Sequence, residues 1–152
     1  MFQLPFPVHD VNASSGSKDL GDLPEWDLSD LYSSQDAPEL SRDLQWLDQE
    51  CASFAADYEG KLAHLDAEEM LNCVLRNERI NTIAGRIMSF AGLRYYQLTV
   101  DGDRTKFMSD MQEKITDFTT PLVFFTLELN RIDDAALQAL LNANDALARY
   151  QP

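Results

Sequence analysis

The chain has 152 residues and a formal net charge of −14, from 26 acidic and 12 basic residues. Its length and its 45% hydrophobic content suit one globular domain with a single core. Nucleic-acid binding requires Lys and Arg to neutralise phosphates, so this charge argues against DNA, RNA and anionic membrane surfaces as partners. The charge itself fits solubility, or a preference for cationic or neutral partners.

The composition and the N-terminal residues also bear on the cellular compartment. The first residues contain no basic segment followed by a long apolar run, so we do not expect a secretory signal peptide of the usual kind. No stretch approaches the roughly 20 apolar residues of a membrane helix. Cys51 and Cys73 fall on different predicted helices without C-x-x-C spacing, which favours two buried thiols over a redox or zinc site. We therefore predict a cytoplasmic protein.

The first part of the chain is predicted to be irregular. Residues 1–20 combine two prolines, one glycine and a polar run with neither helical nor strand periodicity, so we expect a flexible extension. The domain proper is predicted over residues 21–152. Its first segment, residues 23–32, is expected to pack on the domain as an irregular strap or a single helical turn. Its apolar anchors would be Trp26, Leu28, Leu31 and Tyr32.

The first long helix is predicted to begin near Asp36, which would cap it, with Pro38 in the first turn, where its missing N–H costs nothing. Apolar residues then recur at intervals of three and four, the spacing of one helical face. Gly60 is expected to end the helix. The apolar stripe comprises Leu40, Leu44, Leu47, Cys51, Phe54 and Tyr58.

The second helix is predicted from Asp66, which forms a capping-box-like pair with Glu69, to about Leu98. Its apolar residues lie on two sides, which is typical of a central helix. Gly85 and Gly92 are candidates for the close approach of a neighbouring helix. One side carries Met70, Leu71, Val74 and Leu75, and the other carries Ile80, Ile83, Ile87, Phe90 and Leu98.

The third helix is predicted to open after Asp101-Gly102-Asp103. Pro121 interrupts its apolar stripe, so the helix either is kinked there or restarts with Thr119 or Thr120 as a new cap. The stripe comprises Phe107, Met111, Ile115, Phe118, Leu122, Phe125 and Leu129.

A fourth helix is predicted from Asp133 to the last residues, with no stop signal before Pro152. Leu137, Leu140, Leu141, Leu147 and Tyr150 supply its apolar periodicity. The four helices with their short connections predict an all-α fold, an antiparallel bundle of about four long helices behind an irregular N-terminal extension.

The chain offers few residues for catalysis. A catalytic zinc site on a helix needs two imidazoles one turn apart with a carboxylate between them. The two histidines, His9 and His64, lie far apart in the sequence, and no serine or cysteine lies beside a plausible base. Asp101-Gly102-Asp103 lacks the remaining ligands of a calcium loop and is better explained by helix capping. We therefore predict no catalytic, cofactor-binding or metal-binding residue in this chain.

A group of basic residues on the second helix is the one candidate site. Arg76, Arg79, Arg86 and Arg94 fall within about a quarter of the helix circumference. Two interpretations remain open. The arginines form a stripe that faces a substrate channel and steers peptide carboxylates, or they pair with neighbouring acidic residues.

Several segments carry a resemblance to a known family. They are Trp26-Asp27-Leu28-Ser29-Asp30-Leu31-Tyr32, Tyr58-Glu59-Gly60-Lys61-Leu62, Gly85 to Tyr95 followed by Asp101 and Asp103, and Phe124-Phe125-Thr126-Leu127-Glu128-Leu129. In order and spacing the chain resembles the N-terminal domain of oligoendopeptidase F and its relatives among the thimet-oligopeptidase-like zinc metallopeptidases. The resemblance covers about Leu20 to Pro152.

The resemblance implies a two-lobed, mostly helical enzyme whose zinc site lies in a channel that admits short peptides. In such an enzyme zinc activates a water, a glutamate takes its proton, and the hydroxide attacks a peptide carbonyl. The zinc ligands lie several hundred residues beyond this stretch, so we expect this chain to be a lobe cut off before the catalytic segment, and not a peptidase by itself. It would form channel wall and lobe contacts, with the missing catalytic lobe and short peptides as partners and zinc as the cofactor of that lobe.

A different class of function is a free-standing, non-enzymatic helical module that binds partner helices in its apolar grooves. For the lobe, by contrast, the two apolar sides of the second helix exceed what one helix seam buries, so we expect the isolated chain to self-associate or to bind the missing catalytic segment. An open reading frame that continues past Pro152 to an H-E-x-x-H would favour the enzyme.

Overall fold

The computed structural model describes residues 25–151, which are helical with no strand among them. The α-helices of this part are α1 (Pro38–Tyr58), α2 (Ala67–Gln97), α3 (Gly102–Thr119), α4 (Val123–Leu129) and α5 (Asp134–Asn142). Short 3-10 helices lie at Leu62–His64, Thr120–Leu122 and Leu147–Tyr150. The predicted all-α class is therefore confirmed. The extension predicted over residues 1–20, with His9, lies outside the described residues.

Residues 26–32, here called the strap, form a single turn that packs on the helices. The N–H groups of Leu31 and Tyr32 both donate to the carbonyl of Leu28, at 2.9 and 3.1 Å. Tyr32 is buried, and Leu28 and Leu31 are half-buried against the core. Trp26, however, is 61% exposed, so its predicted role as an anchor is wrong.

Helix α1 has Pro38 at its first position, as predicted, but its N-cap is Ala37 and not Asp36. Ala37 carries no capping side chain and is itself buried, so packing and the fixed φ of proline define this end. On the apolar stripe Leu40, Leu47, Cys51 and Phe54 are buried, while Leu44 and Tyr58 pack at its edge. Gly60 follows the helix with a φ of 77°, a conformation that glycine adopts without strain.

Helix α2 starts with the predicted capping box. The Asp66 carboxylate accepts the N–H groups of Glu68 and Glu69, both at 2.9 Å, and the Glu69 carboxylate accepts the N–H of Asp66 at 3.0 Å. The suggestion that Gly85 and Gly92 admit a neighbouring helix is wrong. A Cβ atom added at either glycine would meet nothing within 4 Å in the described part of the chain.

The core lies along α2, which contacts α1, α3 and α5. The side of α2 that carries Ile80, Ile87 and Phe90 forms the main cluster with α1, α3 and α4. On the side that carries Met70 and Leu75, Met70 is buried outside that cluster and Leu75 is 48% exposed. The buried members from α2 are Cys73, Ile80, Ala84, Ile87, Phe90 and Ala91. The position of α2 between other helices agrees with its two-sided pattern.

One helix ends and another begins around Pro121. Helix α3 ends at Thr119, the turn Thr120–Leu122 carries the proline, and α4 follows directly. Neither threonine caps the new helix, because their hydroxyls point backwards: Thr119 donates to the carbonyl of Ile115 and Thr120 to that of Thr116, both at 2.7 Å. These bonds satisfy carbonyls in the last turn of α3, where proline prevents regular helix pairing.

The prediction that the last helix runs to the chain end is wrong. Asp133 caps α5 as expected, by accepting the N–H groups of Ala135 and Ala136, but the helix stops at Asn142. The side chain of Asn144 accepts the N–H groups of Ala146 and Leu147, at 2.9 and 3.4 Å, and so offers the backbone an alternative to helix continuation. This local turn ends the helix, although the apolar periodicity of the sequence continues beyond it.

A matched pair of leucine substitutions tests where the core lies. Leu47 is fully buried between the helices, whereas Leu127 on α4 is 52% exposed. We expect Leu47→Ala to lower the free energy of unfolding by about 2 to 5 kcal/mol, through lost burial and a residual cavity. Leu127→Ala should lower it by about 1 kcal/mol or less. Urea unfolding followed by circular dichroism measures both, and equal losses would contradict the described core.

Candidate functional site

Arg76, the first arginine of the predicted stripe, ties α2 to α1. Its Nε lies 2.7 Å from Glu50 Oε1 and its Nη1 lies 2.7 Å from Asp57 Oδ2, while Nη2 donates to Ser53 at 3.2 Å. The guanidinium also lies over the rings of Phe54 and Tyr58, 5.7 and 5.4 Å from their centroids. The hydrogen bond to Glu50 is the main cause of a raised pKa for Arg76. The hydrogen bond from Arg76 is the main cause of a lowered pKa for Asp57.

Arg86 ties α2 to the strap and to α1. Its guanidinium donates to the Leu31 carbonyl, lies 4.4 Å from the centroid of the Tyr32 ring, and has Nη1 3.5 Å from Asp43 Oδ2. The Tyr32 hydroxyl donates to the same carboxylate oxygen at 2.9 Å. Burial is the main cause of a raised pKa for Tyr32, and the hydrogen bond to Asp43 raises it further. Sequence analysis assigned Tyr32 an apolar role only, and its hydroxyl contact with Asp43 depends on the fold.

Arg79 and Arg94 make no ion pair with a described residue. Arg79 is exposed, and its guanidinium lies 4.8 Å from the centroid of the Trp46 ring. Arg94 is half-buried, and its Nε is buried with no hydrogen-bond acceptor among residues 25–151. The stripe is therefore divided into two arginines with acidic partners and two without. Its predicted orientation toward a substrate channel stays a prediction.

An open cleft lies beside Arg94. It has a volume of about 180 Å³ and separates the strap from the C-terminal half of α2. The Gln97 side chain spans the two elements by donating to the Trp26 carbonyl at 2.9 Å. Arg104 on α3 braces this corner, with Nη1 3.2 Å from the Arg94 carbonyl and 3.3 Å from Gln97 Oε1. Hydrogen bonds among the strap, α2 and α3 thus hold the elements around this open cleft.

Glu128 forms a second long-range tie that sequence reasoning missed. From α4 its carboxylate accepts the N–H of Gly60 at 2.7 Å and that of Leu62 at 3.3 Å. The two oxygens therefore satisfy backbone donors in the loop that follows α1, which contacts α4. Spacing within α4 does not reveal such a role, because the partner backbone lies 66 to 68 residues away.

No group of three or more His, Cys, Asp and Glu side chains in residues 25–151 is placed to hold a metal ion. His64 is exposed at the end of the 3-10 turn before α2. Within the same range, no helix combines the length and the apolar character needed to cross a bilayer.

Comparisons with protein-family models, with curated proteins and with solved structures give no match to this chain.

The two cysteines are buried in the main core cluster as free thiols, as predicted. Burial raises the pKa of Cys51 to about 11 and that of Cys73 to about 12. Thiolate is the reactive form of cysteine, so both side chains are unreactive at neutral pH while the protein is folded. Their role in the described structure is packing.

The raised thiol pKa values predict a loss of stability at alkaline pH. Below about pH 8.5, the usual pKa of cysteine, the thiols are protonated in both the folded and the unfolded chain. As the pH rises toward about 11 and about 12, the unfolded chain loses protons that the folded chain keeps, so the free energy of unfolding falls. Urea unfolding with reductant should show a smaller fall in a Cys51→Ala, Cys73→Ala double variant. Identical pH dependence in both proteins would disprove this assignment.

Proposed function

We propose that the chain is the helical N-terminal lobe of a cytoplasmic zinc metallopeptidase resembling oligoendopeptidase F, arranged as an antiparallel bundle. In this proposal the lobe forms channel wall and lobe contacts, and a separate segment of the polypeptide binds zinc and hydrolyses short peptides. The described residues supply no zinc ligand set, so no step of the hydrolysis is assigned to them.

One observation carries the proposal: the segments on which the resemblance rests are partners in space. The strap meets the stretch from Gly85 to Tyr95, through Arg86 on the Leu31 carbonyl and the edge of Tyr32 against Phe90, with ring centroids 5.4 Å apart. The segment Tyr58 to Leu62 meets α4 through Glu128. Residues that contact one another constrain one another, which explains why these segments would occur together in one kind of domain.

The geometry also gives three of these residues a structural reason to be present. Arg86 joins three elements, Gly60 adopts a positive φ at the end of α1, and Asp101 caps α3 by accepting the N–H groups of Asp103 and Arg104. A lobe needs such residues whether or not it carries chemistry. The positioning role proposed here therefore requires no reactive group in this chain.

The alternative function, a free-standing interaction module, is favoured by exposed apolar side chains. Val123 and Leu127 lie one turn apart on α4, and are 60% and 52% exposed. None of the residues of α5 is buried, although the helix contains three leucines and three alanines. Such surfaces fit a partner helix, and equally fit a neighbouring lobe or a second copy of the chain.

A reconstitution experiment separates the two functions. If the proposal is right, the gene continues past Pro152 into an H-E-x-x-H motif, and the purified chain alone cleaves no quenched peptide. Mixed with the polypeptide that follows, the chain should co-purify with it and give cleavage that a chelator abolishes. The matched control is the same remainder with glutamine in place of the motif glutamate, which should bind the chain without cleaving.

A reading frame without a zinc motif, or a remainder that neither binds the chain nor gains activity from it, would refute the peptidase proposal. Light scattering on the chain alone then tests the module. A strictly monomeric chain that neither binds the remainder nor improves its activity would count against a lobe of a larger enzyme and favour the independent module.

A further inference from the structure

The cleft beside Arg94 is small and open, and it is lined by polar and aromatic side chains. Its volume of about 180 Å³ is below the roughly 300 to 1,000 Å³ of pockets for drug-sized molecules, so it suits a single ring with one charged group. The residues that line it include Trp26, Asp27, Phe90 and Arg94. Aromatic surface and a guanidinium therefore line the same space.

Arg94 differs from the other arginines around it. Arg76 and Arg86 on the same helix have acidic partners, and Arg104 has Nε 3.8 Å from Asp101 Oδ2. Arg94 makes no ion pair within residues 25–151, in a chain with 26 carboxylates, and its buried Nε lacks an acceptor there. A buried donor without a partner costs free energy, which an incoming oxyanion would recover.

The geometry of a guanidinium favours a carboxylate as that oxyanion. Two parallel N–H groups on one edge match two carboxylate oxygens. Arg94 lines the cleft and is half-buried, so its guanidinium is the positively charged group available to a ligand there. No other ordered acceptor within the described residues competes for Nε.

Two neighbours of Arg94 restrict the ligand further. Asp27 lines the same cleft, and its carboxylate would repel a doubly charged anion more strongly than a monoanion. Trp26 lines the cleft with a ring that is 61% exposed, a surface on which an aromatic group can stack. The cleft therefore favours a monoanion with an aromatic ring over phosphate or a simple aliphatic acid.

We propose that this cleft is a binding site for a small aromatic monocarboxylate, with Arg94 holding the carboxylate and Trp26 stacking on the ring. The inference does not depend on the proposed peptidase function. It assigns this part of the chain a ligand-binding role that the rest of the fold does not require.

Fluorescence tests the site directly. The chain has two tryptophans, so Trp46→Phe leaves Trp26 as the sole tryptophan reporter. Titration of this variant with benzoate should change the Trp26 emission and saturate with a dissociation constant on the order of millimolar. Acetate, inorganic phosphate and the uncharged benzyl alcohol should each bind at least about tenfold more weakly, because each lacks either the ring or the single carboxylate.

Matched arginine variants give the decisive comparison in the same Trp46→Phe background. Arg94→Gln should weaken benzoate binding at least about tenfold, whereas Arg79→Gln, which removes the other arginine of α2 without an ion pair in the described structure, should leave it unchanged. Arg94→Lys keeps the charge without the paired donors and should weaken binding by an intermediate factor. Circular dichroism checks that each variant is folded.

Three results would overturn the proposal. They are equal binding of benzoate and benzyl alcohol, undiminished benzoate binding by folded Arg94→Gln or Arg94→Lys, and an equal loss with Arg79→Gln. No saturable change at any benzoate concentration that leaves the protein folded would overturn it as well.

Discussion

The burial of one long face of α2 is the constraint on which the rest of the described structure depends. This helix of 31 residues contacts α1, α3 and α5 and contributes Ile80, Ile87 and Phe90 to the main core cluster. Apolar burial is not directional, so it brings the helices together without fixing how they are joined at their ends. The joining falls to a few polar contacts whose geometry is specific.

Those polar contacts lie where elements end or meet. Arg76 holds α1 against α2, Arg86 holds the strap against both helices, and Glu128 holds the loop after α1 against α4. In each of these contacts one charged group binds several partners at once. None of the described charged residues is buried in the apolar interior. The exposed apolar side chains of α4 and the loosely packed α5 show where this arrangement provides less cover.

How far the sequence could predict the fold follows from which interactions are local. Asp66, Asp101 and Asp133 cap helices through bonds to residues two or three positions away. Because these bonds are local, the starts of the three helices can be predicted from the sequence. The end of α5 was missed because Asn144 acts through a turn that leucine periodicity masks. The candidate site was only partly predictable: the arginines of α2 share a face by spacing, but which of them lacks an acidic partner depends on residues far away in the chain.

Hydrogen exchange of the backbone amides tests most directly whether α2 is the element on which the fold depends. If it is, the amides of residues 80–91 exchange only when the whole domain unfolds, with a free energy equal to that from urea unfolding. The amides of α5, which has no buried residue, should exchange through local opening at a clearly lower free energy. Protection of α5 equal to that of α2, or opening of residues 80–91 while α1 and α3 stay protected, would contradict the account.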